Sequence, residues 1–166
     1  AYAADYTEGP LIGYRWFSAR GAEPLYAFGF GLSYTSFACD DPRVRSVEAG
    51  WEVCCRVTNT GGREGSAVVQ CYRAADASAG ESGSAGGAAA EPPIELRGFA
   101  KVTIAPGEST RAVIAVRPND LARYDVGRRA WRVAPGEHAL RLGLSSGDLP
   151  LAVSVVVAEP TELAAP

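Results

Sequence analysis

The residues able to carry chemistry are few and scattered. Gly143-Leu144-Ser145-Ser146-Gly147 has the G-x-S-x-G form of a serine-hydrolase nucleophile elbow. That mechanism needs a strand-to-helix turn and a histidine base. No helical pattern follows the motif, and the single histidine, His138, lies upstream on the same expected strand. The motif therefore reads as a strand end and turn. His138 shares a face with Leu140, Leu142 and Leu144, so it reads as a core or core-edge imidazole. Gly29-Phe30-Gly31 lacks the third glycine and the following helix of a dinucleotide site. Cys39, Cys54, Cys55 and Cys71 do not have the C-x2-C spacing of a zinc site. Neighbouring Cys54 and Cys55 point to opposite faces of a strand, and all four read as small buried hydrophobes. The inward phasing of Cys55 and Cys71 motivates one further expectation, a disulfide across the core. No catalytic, cofactor-binding or metal-ligating residue is assigned.

The elements that would position such residues are strands. Trp51, Val53, Cys55 and Val57 alternate with Glu52, Cys54, Arg56 and Thr58, the period of a sheet with one buried face. Thr58-Asn59-Thr60-Gly61-Gly62 supplies residues that tolerate positive φ or cap the backbone, and it joins this strand through one tight turn to Ala67–Tyr72. Ile94, Leu96, Val102 and Ile104 share one parity while Phe99 is out of phase, which places a bulge near Gly98. Pro106-Gly107 marks a turn before a strand at Arg111–Val116, and Asn119-Asp120 caps a helical turn running to Tyr124. Short strands follow at Trp131–Val133, His138–Leu144 and Leu151–Val157. About seven short strands with regular turns indicate an all-β, antiparallel β-sandwich.

Composition narrows the partners. Hydrophobic residues are 47% and charged residues 21% of 166, enough for one soluble domain with a full core. The net charge of −3 and pI near 5.2, with scattered basic residues, argue against a nucleic-acid surface. Arg128-Arg129 is the one adjacent basic pair and reads as a solvated turn. No run of 18 apolar residues is present, so no membrane span is expected. Met is absent and the first residue is Ala1, which points to a processed chain or a fragment. Residues 74–91 are an Ala/Gly/Ser stretch with almost nothing to bury, expected as a flexible loop.

Residues 1–37 differ from the rest. Tyr14-Arg15-Trp16-Phe17 reads as too short for a helix, and aromatics continue through Phe28 and Phe30 among glycines at 9, 13, 21, 29 and 31. Such a surface suggests a segment that packs against another body. Tyr6-Thr7-Glu8-Gly9-Pro10-Leu11-Ile12-Gly13-Tyr14-Arg15-Trp16-Phe17 resembles the Y-x-E-G-x-x-x-G-Y-R-aromatic-aromatic segment of glycoside hydrolase family 3. Pro24–Thr35 is similar to its P-L-aromatic-P-F-G-x-G-L-S-Y-T, with Ala27 in place of a proline. The resemblance continues through Val57-Thr58-Asn59-Thr60-Gly61, Val68-Val69-Gln70-Cys71-Tyr72, Glu95–Val102, Pro106-Gly107-Glu108 and Gly143-Leu144-Ser145-Ser146. Cys71 stands where an aliphatic residue is usual, and His138 where tyrosine is common.

The resemblance implies an immunoglobulin-like, fibronectin type III-like sandwich over 38–158, preceded by the end of an α/β domain and linker (1–37) and followed by a tail (159–166). It implies a β-glucosidase- or β-xylosidase-like parent that removes terminal sugars by a retaining mechanism. That chemistry needs two carboxyl groups about 5–5.5 Å apart. Glu8, Asp40, Asp41, Glu95 and Asp120 are available, but nothing in the sequence pairs two of them in a cleft, and none is taken as catalytic. The expected partners are the parent's catalytic domains, met by Tyr14, Arg15, Trp16, Phe17, Phe28 and Phe30. Without those domains residues 1–37 are expected to lose order, since nothing in this chain is obliged to cover their aromatics. The competing reading is a free-standing module that binds a polysaccharide or a protein surface through exposed Trp and Tyr. A secreted or vacuolar, lysosome-like compartment suits the parent.

Overall fold

The computed structural model describes residues 9–75, 91–125 and 127–163. The loop expected over 74–91 lies, apart from its ends, outside the described residues, as does Glu8. Strands β1 (Phe37–Val47), β2 (Gly50–Asn59) and β5 (Ser109–Val116) form one sheet in the order β1-β2-β5. Strands β3 (Gly65–Ala74), β4 (Ile94–Ile104), β8 (Gly136–Gly143) and β9 (Leu151–Val157) form the second, in the order β4-β3-β8-β9. All pairings are antiparallel. A small third sheet, β10-β7-β6, joins β6 (Arg123–Asp125), β7 (Ala130–Val133) and β10 (Thr161–Leu163), so part of the expected tail pairs with the domain.

The core follows the period of two. Val53, Cys55 and Val57 of β2 and Ala112, Ile114 and Val116 of β5 meet Val69 and Cys71 of β3, Leu140 and Leu142 of β8, and Val155 and Val157 of β9. Each aliphatic side chain so buried contributes roughly 1.5–3 kcal/mol. Trp51 packs against the edge of this cluster.

Several sequence expectations are corrected here. β2 and β3 are consecutive but lie in opposite sheets, so the turn between them crosses the sandwich instead of closing a hairpin. Both strands carry an apolar inner face, and facing each other across the core buries both. Of the positive φ or local capping expected of Thr58–Gly62, the capping is present, with Asn59 Oδ1 accepting the Gly61 N–H. Gly61 and Gly62 are not among the residues of positive φ, and Gly61 is needed for space, because a Cβ there would run into Thr35. Tyr14–Arg20 is an α-helix, α1. Its length comes from Ser18-Ala19-Arg20 beyond the aromatic quartet, and Gly21, at φ 59, turns the chain so that Ala22 N–H reaches Phe17 C=O at 3.0 Å. The helical turn near Asn119 is a 3-10 turn, Pro118–Leu121, that stops before Tyr124. Asp120 caps it by accepting the Arg117 N–H at 2.8 Å.

The bulge near Gly98 is present: Cys71 faces Gly98 while Tyr72 faces Leu96, leaving Arg97 as the extra residue. Phe99 consequently points outward and is exposed. A second irregularity lies on β1 between Asp40 and Arg43, where Asp41 has φ 49 and Pro42 follows.

Cys55 and Cys71 are not joined, and all four cysteines are free. Cys55 instead interacts with Cys39 on the neighbouring strand, and the coupling of the two thiols lowers the pKa of Cys39 and raises that of Cys55. Burial pushes the Cys71 thiol up to about 12.

Candidate docking interface

The segment from Gly9 to Ser36 is laid against the sandwich, with α1 followed by an irregular strap. It is fastened at three places. At the first, Tyr14 Oη accepts the Leu96 N–H at 2.9 Å. Its ring meets Tyr72 edge-on at 5.7 Å and stacks on Phe28 at 5.0 Å. The next residue, Arg15, reaches Glu95 at 3.5 Å.

The second fastening is Gly29. Its φ of +82 belongs to the left-handed region, and a Cβ would collide with the side-chain amide of Gln70. Gln70 is buried; it donates to Leu144 C=O at 2.9 Å and accepts the Tyr72 hydroxyl at 2.5 Å. Beside it, Ser146 N–H donates to Phe28 C=O at 2.9 Å.

The third fastening is Thr35, whose hydroxyl donates to Asn59 Oδ1 at 2.6 Å, while Thr60 N–H donates to Ser36 C=O at 2.8 Å. Asn59 is fully buried. It also donates to Arg63 C=O at 2.6 Å and Ile104 C=O at 2.9 Å, and accepts Gly61 N–H at 3.1 Å. Gly65 must be small as well, since a Cβ would stand 2.6 Å from Thr35 Cγ2. Sequence reasoning missed these contacts. The available signal was that Gly29 and Thr35 on one side, and Gln70, Asn59, Gly61 and Gly65 on the other, all belong to motif blocks.

Among the described residues the opposite side of the segment has no such partners. Leu25, Leu32 and Tyr34 are about nine-tenths exposed, at 90%, 93% and 92%, and Tyr26, Phe30 and Trp16 are substantially exposed. Tyr26 and Phe30 lie 5.3 Å apart, as do Trp16 and Phe17, and Arg20 sits over the Trp16 ring at 5.7 Å. A groove of about 860 Å³ runs between α1, residues 21–30 and the turn at 145–148.

The six residues expected to dock are thus divided. Tyr14 and Arg15 turn toward the sandwich, Phe28 is shared, and Trp16, Phe17 and Phe30 face outward. The expectation that nothing in the chain covers these aromatics is corrected for Tyr14, which Tyr72 and Leu96 hold.

The other candidates for chemistry sit apart. Ser145 is buried in a tight turn bridged to Asp148; no helix follows, and Gly143 is required because a Cβ would overlap the Asp148 carbonyl. His138 is buried with its Nε2 on Ala134 C=O at 2.9 Å. Of the five candidate carboxylates, the four that are described each have a local partner. Asp40 pairs with Arg56, Asp41 with Arg43 and Arg111, Glu95 with Arg15, Arg73 and Arg97, and Asp120 caps a turn. Hydrogen bonds from Arg43 and Arg111 hold the Asp41 carboxyl below its ordinary range, the opposite of what a general acid needs. Among the described residues no group of three or more His, Cys, Asp and Glu is placed to hold a metal, and no helix is long and apolar enough to cross a membrane. Trp131 is half exposed and meets Tyr124 edge-on at 5.6 Å.

Two facing antiparallel sheets of three and four strands, with consecutive strands crossing between them, define a fibronectin type III-like sandwich, and the sequence model of that domain matches residues 67–146. The chain belongs to this fibronectin type III-like family, in the form carried by glycoside hydrolase family 3 β-glucosidases. A β-glucosidase of Rhizobium radiobacter is 39% identical over 153 residues, covering 90% of this chain and 18% of the relative. The structure of β-glucosidase 3B from Thermotoga neapolitana superposes with a TM-score of 0.79 at 35% identity, over 95% of this chain and 21% of that one. A GH3 β-glucosidase of Bifidobacterium adolescentis gives 0.80 at 34% identity, over 98% and 23%. The chain thus spans about a fifth of the length of the proteins it matches.

Proposed function

We propose that this chain is the non-catalytic, fibronectin type III-like part of a family 3 β-glycosidase, docking on the catalytic domains and stabilising them. In the parent, removal of terminal sugars from β-linked glycosides would fall to carboxylates outside this chain. The observation that carries the reading is the two-sidedness of residues 9–36. One side is bonded into the sandwich, and the other holds Trp16, Phe17, Tyr26, Phe30, Leu32 and Tyr34 out toward a second body. Exposed apolar surface of this extent is what an intramolecular interface leaves when its partner is taken away.

The test is hydrolysis of aryl β-glucoside and aryl β-xyloside by the 166-residue chain and by a longer protein in which it is joined to catalytic domains. Activity in the longer protein alone is the expected result. Turnover by the short chain would overturn the reading. The half-exposed Tyr124–Trp131 pair favours a second reading, a polysaccharide-binding module, although the 65° between its rings makes a poor flat platform for a sugar. Retention of the chain on insoluble β-glucan, abolished by Trp131→Ala, is the result expected of that alternative.

A further inference from the structure

Glu95, beside the bulge of β4, is surrounded by three guanidinium groups. Arg97 Nη2 lies at 2.5 Å, and Arg73 Nη1 and Arg15 Nη2 each lie at 3.5 Å. Arg73 has a second carboxylate, Glu91, at 2.5 Å, which Arg123 also meets. Among the described residues Glu95 is the one carboxylate paired with Arg15, from α1, and with Arg97, from the bulge, so these two cations share one counter-charge. Each also holds a buried Nε–H without an acceptor. Burial, the largest influence on Arg97, disfavours its charged form. A guanidinium does not shed its proton at ordinary pH, so a buried one without a full counter-charge is costly. The side chains keep 30% (Arg15) and 17% (Arg97) of their surface, so the cluster opens outward beside Tyr14.

We propose that Arg15 and Arg97 form a receiving site for one carboxylate, which lies between the two guanidinium groups and completes the neutralisation that Glu95 begins. Charge selects the class: one negative charge is wanted, and a planar two-oxygen group matches the N–H fork of arginine, whereas a phosphate dianion would overcompensate. The carboxylate could be an acidic side chain of the adjoining protein body, an arm that rests on the docking reading, or a diffusible organic acid.

The test follows the arginine Nε–H resonances of the nitrogen-15-labelled 166-residue chain as acetate replaces chloride at constant ionic strength and pH. Two resonances, one missing in Arg15→Gln and one in Arg97→Gln, should move saturably with acetate. In Arg97→Lys the midpoint should rise at least about tenfold, because the charge stays but the fork is lost. The Leu96 amide, bonded to Tyr14, reports whether each variant keeps α1 in place. In the longer protein, resonances already at the acetate-bound positions and indifferent to acetate assign the group to a protein side chain. Resonances that still move assign it to a diffusible acid. Unresponsive resonances in the short chain, together with chloride-like positions in the longer protein, overturn the proposal. Docking fails by a different readout, namely a longer protein whose stability is indifferent to Trp16→Ser.

Discussion

The two sides of residues 9–36 are built from the same residue types and behave as different materials. On the inner side Tyr14, Gly29 and Thr35 each meet a specific polar partner in the sandwich: the Leu96 amide, the Gln70 side chain and Asn59. On the outer side Trp16 meets Phe17 and Arg20, Tyr26 meets Phe30, and Leu32 and Tyr34 are almost wholly exposed. Aromatic content alone therefore says that a surface will be buried, not by what. The assignment comes from the hydrogen bonds: a side fastened by bonds of fixed geometry belongs to this domain, and a side offering only apolar area is free to meet another.

The contrast can be attacked where it is strongest. Asn59→Ala removes bonds to Thr35, Arg63, Ile104 and Gly61 together, and strands buried partners. It should lower the unfolding free energy of the isolated chain by about 3 kcal/mol and expose residues 30–36 to protease. Gly29→Ala forces a Cβ into Gln70 at a positive φ and should cost about 2 kcal/mol by urea unfolding. Tyr14→Phe deletes one acceptor and should cost about 1 kcal/mol.

Trp16→Ser and Tyr26→Ser, on the outer side, should change the isolated chain by less than about 0.5 kcal/mol. In the longer protein each should cost roughly 1.5–3 kcal/mol, the value of a large apolar side chain buried there. A Trp16→Ser chain as unstable as Asn59→Ala would erase the distinction. The smallest effect is a pH response away from both sides. Arg43 and Arg111 lower the Asp41 pKa below 3.8, so this contribution is present above that value and lost as pH falls through the folded pKa. Asp41→Asn should flatten the acid end of the stability curve by slightly lowering stability at neutral pH while leaving it unchanged at the acid extreme, where the contribution is already lost.

What the sequence disclosed, and what it withheld, follows from range. Alternation in Trp51–Thr58 and His138–Leu144 is a local signal, and the inner faces it marked are the buried ones. Which strands pair is not local: parity at β2 and β3 is equally compatible with a hairpin and with a crossing between sheets. The helix α1 escaped because a four-residue window ends before Ser18-Ala19-Arg20, although Gly13 and Gly21 already bracketed it. Among the six expected docking residues the type was legible and the direction was not, since Tyr14 and Trp16 differ only in what Tyr72 and Leu96 offer them. Gly61 and Gly65 were legible as glycines, but their purpose, room for Thr35, depends on a residue some 26 to 30 positions away.

The irregular stretch of β1 has a consequence for handling the chain alone. An open sheet edge is a template on which a further strand can crystallise, and from there fibrils can grow. β1 is the outer strand of its sheet, and its ladder is broken at Asp41-Pro42, with a kinked backbone, a missing N–H and charged neighbours at Asp40, Arg43 and Arg45. This rim gives an incoming strand no register to copy. Clumping of the isolated domain should therefore begin at the greasy aromatic side, and a mild detergent that coats that side should disperse it.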